Sequence, residues 1–525
     1  MESRRVRANG ARTGAAAIVE GLERAGVEVV FGYPGGNVVD IFAALETAKF
    51  RFVLGRHEQG CTHMADGYAR ATGRPGVVIV TSGPGATNAI TGLATANVDG
   101  VPLVLISGQV PLSQIGTDAF QEADMTGICR AATKHSFLVK SAAEIPETLA
   151  QAFYIATHGK PGAVVIDVPR NVQEEITDVQ PPERISLRAY HPERAATVRE
   201  VAHFAKLLNE AKRPVIFAGG GVIAANAAKD VAALAQRANI PVATTLMGVG
   251  SFDERNPLAL GLAGLYGTRA ANEALAAADL VVALGVRFND RVTGADAARY
   301  LRGAKLVHVD CDPSSIDKNV AADLGIVADV KDLLTTVNSR IRPTDRVAWV
   351  KRVAGWKRVH TSKRTADPVR DVVEAIARAT KGRAILVADV GDHQMACARH
   401  FPHALPRHFL TSGGMGTMGF AIPAAIGAAL ACPGEKVVAV VGDGGAQMTF
   451  EELIVTVEHR LPVVFVVVNN HCLGMVRTPI ASPDFVALAR AYGMKGLRAR
   501  AKDGMEAVFA RAIRAKGPVL VEVAV

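Results

Sequence analysis

The sequence predicts an α/β protein made of several parallel sheets with helices on both faces. Three observations carry this. Apolar, β-branched runs recur along the whole chain without the polar alternation of a half-solvated strand. A helix-length segment separates most consecutive runs. And 525 residues are too many for one compact core, so two to four domains are expected.

The runs are VEVVFG (27–32), GVVIVTSG (76–83), PLVLISG (102–108), AVVIDVP (163–169), PVIFAGG (214–220), LVVALG (280–285), KLVHVD (305–310), AILVADVG (384–391), KVVAVVGDG (436–444), VVFVVVNN (463–470) and PVLVEVAV (518–525). Two polar, Pro- and Arg-rich stretches, 174–196 and 340–368, interrupt them and read as linkers. They leave three α/β units, 12–180, 195–340 and 368–525, each of ordinary domain size. The first closes with ETLAQAFYIATHGKPGAVVIDVP and the third with EAVFARAIRAKGPVLVEVAV. Both read helix, Lys/Gly/Pro turn, apolar strand. A shared fold is expected, with chance similarity of two α/β endings as the alternative. Residues 1 to about 11 read as a frayed tail.

Composition excludes several classes. Hydrophobic residues make up 49% and charged residues 21%, as in a soluble globular chain. No apolar run approaches the roughly 20 residues of a membrane span. MESRRVRANGARTG lacks the apolar segment of a secretory signal. Six scattered cysteines without a CxxC pair indicate reduced thiols in a cytoplasm, not a disulfide framework or zinc site. The net charge of +9 would attract anionic substrates, but it is dispersed, with no aromatic-interleaved patch for nucleic acid.

The chemistry concentrates in KVVAVVGDGGAQMTFEELIVTVEHRLPVVFVVVNN (436–470). Ligands of parallel sheets bind beyond the carboxyl ends of strands. There Gly442, Gly444 and Gly445 let backbone N–H groups approach a phosphate, and Asp443 supplies a hard oxygen. Asn469-Asn470 ends the next strand, with 24 residues between Gly444 and Asn469. A carboxylate, a carboxamide and a backbone carbonyl near Cys472 suit Mg²⁺ on a diphosphate. The plain alternative is a dinucleotide-binding turn, but GxGxxG fails because Gln447 stands where the third glycine belongs.

GDG, 24 residues, then NN resembles the thiamine diphosphate signature of the decarboxylase and carboligase superfamily. The resemblance implies three doubly wound parallel-sheet domains: pyrimidine-binding, central and diphosphate-binding. It also implies a glutamate that hydrogen-bonds the aminopyrimidine. Glu58 in RHEQG matches, with Gly35 in GYPGGN and Pro84 and Asn88 in SGPGATN on the pyrimidine side. A confined carboxyl there would have a raised pKa and could share a proton with the pyrimidine. In this superfamily the half-sites meet across a subunit interface, so at least a homodimer is implied, or a homotetramer.

GQVPLSQIGTDAFQEADMTGICRAATKHSFLVK (108–140), GVRFNDRVTG (285–294), VDCDPSSIDKN (309–319), TSGGMGTMGFAIPAAIGA (411–428) and NNHCLGMVR (469–477) narrow the likeness. Over nearly the whole chain the sequence looks like the large, catalytic subunit of acetohydroxyacid (acetolactate) synthase. The implied reaction decarboxylates pyruvate and ligates the hydroxyethyl unit to a second 2-oxo acid. By matching motif, Glu58 activates the cofactor, Phe120 and Gln121 flank the substrate, and Arg170 lies in the site. Gly391 and His393 touch the diphosphate. Met418 props the cofactor and Gly416 offers it a carbonyl, with Gly474 and Met475 nearby. Asp443, Asn470 and the Cys472 carbonyl hold Mg²⁺. The central unit resembles a structural FAD domain. Gly220 and Gly221 follow a strand, with Thr245 and Leu246 after the next. Gly285, Arg287, Asn289 and Arg291 suit the dinucleotide, and Asp310 and Asp329 its ribose and adenine edges. A separate regulatory small subunit is compatible with the family.

The chain also departs from that pattern. Asn289 stands for an aspartate, Tyr266 for a histidine, Arg170 for a lysine and Asp392 for a glutamine beside the diphosphate. After GMVR a longer segment is replaced by TPIAS, with Pro479 roughly where the family carries a tryptophan, and the sequence ends at Val525 without the family's tail. Both pieces help cap the site, so an open site is expected, with ligation efficiency and acceptor preference affected. The alternatives are a decarboxylase releasing aldehyde, a carboligase with another acceptor, a non-catalytic cofactor-binding paralogue and, remotely, a flavin oxidoreductase.

Overall fold

In the computed structural model, residues 11–185, 187–297, 300–301, 303–361, 366–500 and 504–525 are described, and the apolar runs assemble into three six-stranded parallel sheets. The expected frayed tail lies almost wholly outside these residues. The first sheet holds β1 (Val29–Tyr33), β2 (Arg51–Leu54), β3 (Gly76–Val80), β4 (Leu103–Gln109), β5 (His135–Leu138) and β6 (Ala163–Pro169) in the order β2-β1-β3-β4-β6-β5. The second holds β7 (Pro214–Ala218), β8 (Val242–Thr244), β9 (Ala259–Leu262), β10 (Leu280–Leu284), β11 (Lys305–Asp310) and β12 (Leu324–Val327), ordered β9-β8-β7-β10-β11-β12. The third holds β13 (Ile385–Ala388), β14 (Phe409–Thr411), β15 (Val437–Gly442), β16 (Val464–Asn469), β17 (Lys495–Arg500) and β18 (Val519–Ala524), ordered β14-β13-β15-β16-β18-β17.

Counted within their own sheets, the first and third have the same strand order, as their similar endings suggest. In both, the chain winds outward in opposite directions from the first and third strands, and a crevice opens between those strand ends. Gly35 and Ser82–Asn88 flank one crevice; Gly391 and Gly442–Gly445 flank the other. The second sheet reverses direction between β7 and β10, where Gly219–Gly221 meets Gly285.

Units one and three join through two helices in equivalent places, α1 (Glu58–Thr72) after β2 and α2 (Ala421–Ala431) after β14. Small residues let their backbones touch. A Cβ on Gly67 would sit 2.6 Å from Ala424 Cα, and one on Gly427 would overlap the Met64 carbonyl. Nine residues of α2 are buried, so it is a core helix between two units and not a surface one.

The unbroken runs locate eleven of these strands. The six edge strands and the three-residue β8 lack such runs. Edge strands are covered less completely, so their sequences mix polar and apolar residues. The stretch 340–368, expected as a linker, is corrected. Helix Val347–Thr361 occupies much of it, and Trp349 is buried with its indole N–H donating to the Pro214 carbonyl at 3.0 Å. Arg346 donates to the carbonyls of Ala211 and Leu208. Trp349, Val353 and Trp356 form a narrow apolar stripe among lysines and arginines, which hid the helix. Among the described residues no helix is long and apolar enough to cross a membrane, and the six cysteines are free thiols.

Gly427→Ala is expected to cost about 1–3 kcal/mol in urea unfolding through overpacking, whereas Gly434→Ala, with open space around it, is expected to stay within about 0.5 kcal/mol.

Candidate active site

In the third unit β15 runs directly into the helical turn Asp443–Ala446. Asp443 is only 2% exposed. Its Oδ1 accepts from the Gly444 amide at 3.0 Å and its Oδ2 from the Ser482 hydroxyl at 2.9 Å. Asn469 is spent on structure: its Nδ2 donates to Glu522 at 2.9 Å and its Oδ1 accepts from the His471 amide. Asn470 is exposed, its Oδ1 accepts from the Cys472 amide, and its Nδ2 lies beside Gly474.

The glycines here are space for neighbours. A Cβ on Gly444 would overlap Leu473 and sit 3.4 Å from the Met418 methyl. One on Gly442 would sit 3.0 Å from the His393 ring. Gly391, at φ +148°, lies against the same ring. Gly391, His393, Met418, Asp443, Gly444, Asn470 and Gly474 are thus brought together. Asp392 is exposed, as an extra carboxylate near a diphosphate must be, though its Oδ2 lies beside Gly474. The loop carrying Gly416 and Met418 is pinned by buried Asp389, whose oxygens accept from the amides of Gly419 and Ala421 at 3.1 and 3.0 Å. Burial pushes that carboxyl up to about 6.

These residues fit a diphosphate and its cation. The buried His393 Nε2, on the ring that abuts Gly391 and Gly442, has no partner within the protein. Burial pulls that imidazole down to about 4, so near neutral pH it can offer an N–H without carrying charge. Asp443 has about four lone-pair positions, of which Gly444 and Ser482 use two. With the Asn470 and Cys472 carbonyls the remaining donors are all oxygen, as Mg²⁺ requires.

In the first unit Glu58 opens α1, capped by His57. Its Oε2 accepts from Asn88 Nδ2 at 3.0 Å, and its Oε1 lies 3.2 Å from where a Gly85 Cβ would sit. Pro84 opens the short helix Pro84–Asn88. Gly35 packs on Thr81, and Gly83, at φ +58°, packs on Gln121, itself at φ +62°. Glu58, Asn88, Pro84, Gln121 and Gly35 therefore gather at one strand end. Phe120 is 87% exposed, and Arg170 is exposed beside Glu174. In the single chain neither engages Glu58.

Polar contacts of the Glu58 carboxylate lie within unit one, and those of Asp443 within unit three. One carboxylate missed in the sequence links them: Glu452, buried in TFEELIV of unit three. It accepts from the Arg56 amide at 3.0 Å and the His57 amide at 2.9 Å, holding the turn that presents Glu58. Burial pushes it up to about 8. A glutamate immediately before the apolar helix Leu453–Glu458 was the available signal.

A cavity of about 600 Å³ lies where the three units meet, a usual size for a cofactor site. The central unit lines it with Gly220, Gly221, Thr245 and Leu246, with Gly285, Arg287, Asn289 and Arg291, and with Asp310 and Asp329. Gly416 and Met475 reach it from unit three, and Lys160 from unit one. Asn289 and Asp329 also cap helical turns, accepting from Val292 and from Lys331 and Asp332. Asp310 accepts from the Asp312 amide, and burial pushes it up to about 6. Glycine turns, two arginines and two strand-end carboxylates fit a dinucleotide.

Nothing in the sequence pattern marks Asp99. Its side chain is fully buried, accepting from Arg70 Nη2 at 3.0 Å and from the amides of Gly413 and Gly414 at 3.0 and 2.8 Å. It also lies 3.7 Å from Arg287. One carboxylate thus ties all three units together at the cavity wall.

Comparison with known proteins decides the family. Models of the thiamine pyrophosphate enzyme match in chain order: the N-terminal TPP binding domain over 12–128, the central domain over 201–337 and the C-terminal TPP binding domain over 389–523. The chain is 43% identical to an acetolactate synthase large subunit of Haemophilus influenzae, covering 97% of this chain and 93% of that one. The chain belongs to the acetolactate synthase large-subunit family. It is 42% identical to the isozyme 3 large subunit of Escherichia coli strain K12, over 95% of this chain and 92% of the other. It is equally identical to a probable acetolactate synthase large subunit of Methanocaldococcus jannaschii, over 98% and 92%. Like the family, it is a thiamine-diphosphate-dependent enzyme.

Glu452 gives a pH signature. Its carboxyl is raised in the folded state, so its contribution to stability is complete below about 4.5, falls as pH rises, and levels off above about 8. Glu452→Gln, neutral throughout, is expected to flatten part of the fall in thermal midpoint between pH 5 and 8. An unchanged slope would contradict the assignment.

Proposed function

We propose that this chain decarboxylates pyruvate and joins the two-carbon unit to a second 2-oxo acid. The product is 2-acetolactate or 2-aceto-2-hydroxybutyrate, at the first common step of branched-chain amino-acid biosynthesis. The observation that carries the reading is the pair of half-sites, Glu58–Asn88 and Asp443–Asn470, at equivalent crevices of two like sheets. Thiamine diphosphate, when bound, would supply an acidic ring carbon able to act as nucleophile and electron sink for decarboxylation. The protein's share is positioning and proton control. Glu58, steadied by Asn88, holds a proton at the aminopyrimidine ring nitrogen. The Gly416 carbonyl and Met418 would hold the aminopyrimidine end of the cofactor. Gly391 and His393 would meet the diphosphate, and Asp443, Asn470 and the Cys472 carbonyl would hold Mg²⁺. Phe120, Gln121 and Arg170 face the substrates. FAD fills the three-unit cavity as a structural group, since the net reaction moves no electrons.

The half-sites complete each other between two copies of the chain, in a homodimer or homotetramer. This is supported by the separate contacts of Glu58 and Asp443 and by the exposure of Phe120, Met415, Met448, Met475 and Val476. The relatives' designation as large subunits supports a regulatory small subunit. Scattered free thiols fit a reducing cytoplasm. Domain limits of 12–180, 195–340 and 368–525 remain our division, with helix Val347–Thr361 assigned to the central unit.

The short segment after Arg477 favours one alternative, aldehyde release from an open site. Incubation with pyruvate, Mg²⁺, thiamine diphosphate and FAD separates the two. Acetolactate is expected in a one-to-one ratio with CO₂, and CO₂ with free acetaldehyde would favour the alternative. Glu58→Gln is expected to lower turnover by about 10²–10⁴-fold with the cofactor still bound. Arg287→Ala is expected to weaken FAD binding, read by flavin fluorescence, by about 10–100-fold through loss of charge-assisted hydrogen bonds.

A further inference from the structure

The segment that departs most from the family pattern folds back onto the metal turn. Cys472–Leu473 pairs antiparallel with Thr478–Pro479, and the tight return puts Arg477 at φ +54°. The Ile480 amide donates to the His471 carbonyl at 3.1 Å. Gln447 Nε2 bridges the carbonyls of Asp443 and Ala481 at 3.2 and 3.1 Å. Ser482 then donates its hydroxyl to Asp443 Oδ2 at 2.9 Å.

We propose that Ser482 is a positioning residue for the divalent cation. The inference rests on the reading of Asp443 as a metal ligand and deepens it. A carboxylate held at one oxygen only can still rotate. The Gly444 amide holds Oδ1, and Ser482 holds Oδ2 from the other side of the turn. Both donors are neutral, so the full negative charge stays available to the cation, and lone pairs on both oxygens remain free. A lysine or arginine at position 482 would have orientated the group but cancelled its charge. The same hydrogen bond ties residues 478–482 to the metal turn. Metal binding and ordering of this short segment therefore favour each other reciprocally. The segment does locally, by a hydroxyl, part of what a longer cap would do by covering the turn.

The test uses full-length protein with thiamine diphosphate and Mn²⁺ as the probe, bound metal being read by electron paramagnetic resonance. Ser482→Ala is expected to raise the Mn²⁺ dissociation constant about tenfold or more, the usual effect of losing a group that orients a ligand. Ser482→Thr, which keeps the hydroxyl, is expected to restore it. The metal-free proteins are expected to melt together, which separates positioning from folding. Trypsin cleavage after exposed Arg477 is expected to slow on adding Mg²⁺ with thiamine diphosphate in the parent chain, and to slow less in Ser482→Ala. Unchanged Mn²⁺ affinity in Ser482→Ala, or a loss that Ser482→Thr does not recover, overturns the proposal. Failure of the parent chain itself to bind Mn²⁺ contradicts the metal assignment of Asp443 instead.

Discussion

Two helices touching backbone to backbone govern the rest of this structure. α1 and α2 approach so closely at Gly67 and Gly427 that no side chain fits between them. That contact fuses the first and third units into one core, shared by strands of both sheets and by the two helices. It also fixes what stands at the start of α1. With α2 in place, Glu452 comes to rest under the Arg56–His57 turn, and Glu58 leaves that turn already oriented. The catalytic carboxylate assigned here is thus supported by a carboxylate of the neighbouring unit.

Buried acids pin the junctions between units and the loop beside them. Asp99 joins unit one to the glycine loop of unit three and to Arg287 of the central unit, Asp389 holds the loop that carries Met418, and Glu452 holds the Glu58 turn. Buried carboxylates are costly unless their oxygens are matched by donors. Here backbone amides supply most of them, and amides have no freedom to move away. The arrangement gives up some stability for geometry, which suits a site that must hold a cofactor in one fixed position.

The chemistry was more legible than its supports. Strand-end residues such as Asp443, Asn470 and Gly391 announce themselves because glycine and hard oxygens are conspicuous after an apolar run. Their supports do not. Asp99 sits in an ordinary helix end, and its role exists only once three units converge. Ser482 reads in sequence as part of a shortened loop, and only the fold returns it to Asp443. The edge strands were hidden because partial exposure dilutes their apolar pattern, and Val347–Thr361 because its buried stripe is narrow. Sequence could suggest Asn469 and Asn470 together; only packing separates the structural Asn469, bound to Glu522, from the exposed Asn470.

The central claim is that a working site takes Glu58 from one copy and Asp443 from another. Mixing two inactive variants tests it directly: Glu58→Gln and Asp443→Ala, co-refolded or co-expressed so that chains exchange, and assayed for acetolactate. A mixed dimer contains one site with both defects and one with neither. Recovery toward a quarter of parental activity is therefore expected for random pairing. If each site is built within one chain, every site keeps a defect and the mixture stays inactive, which would contradict the account.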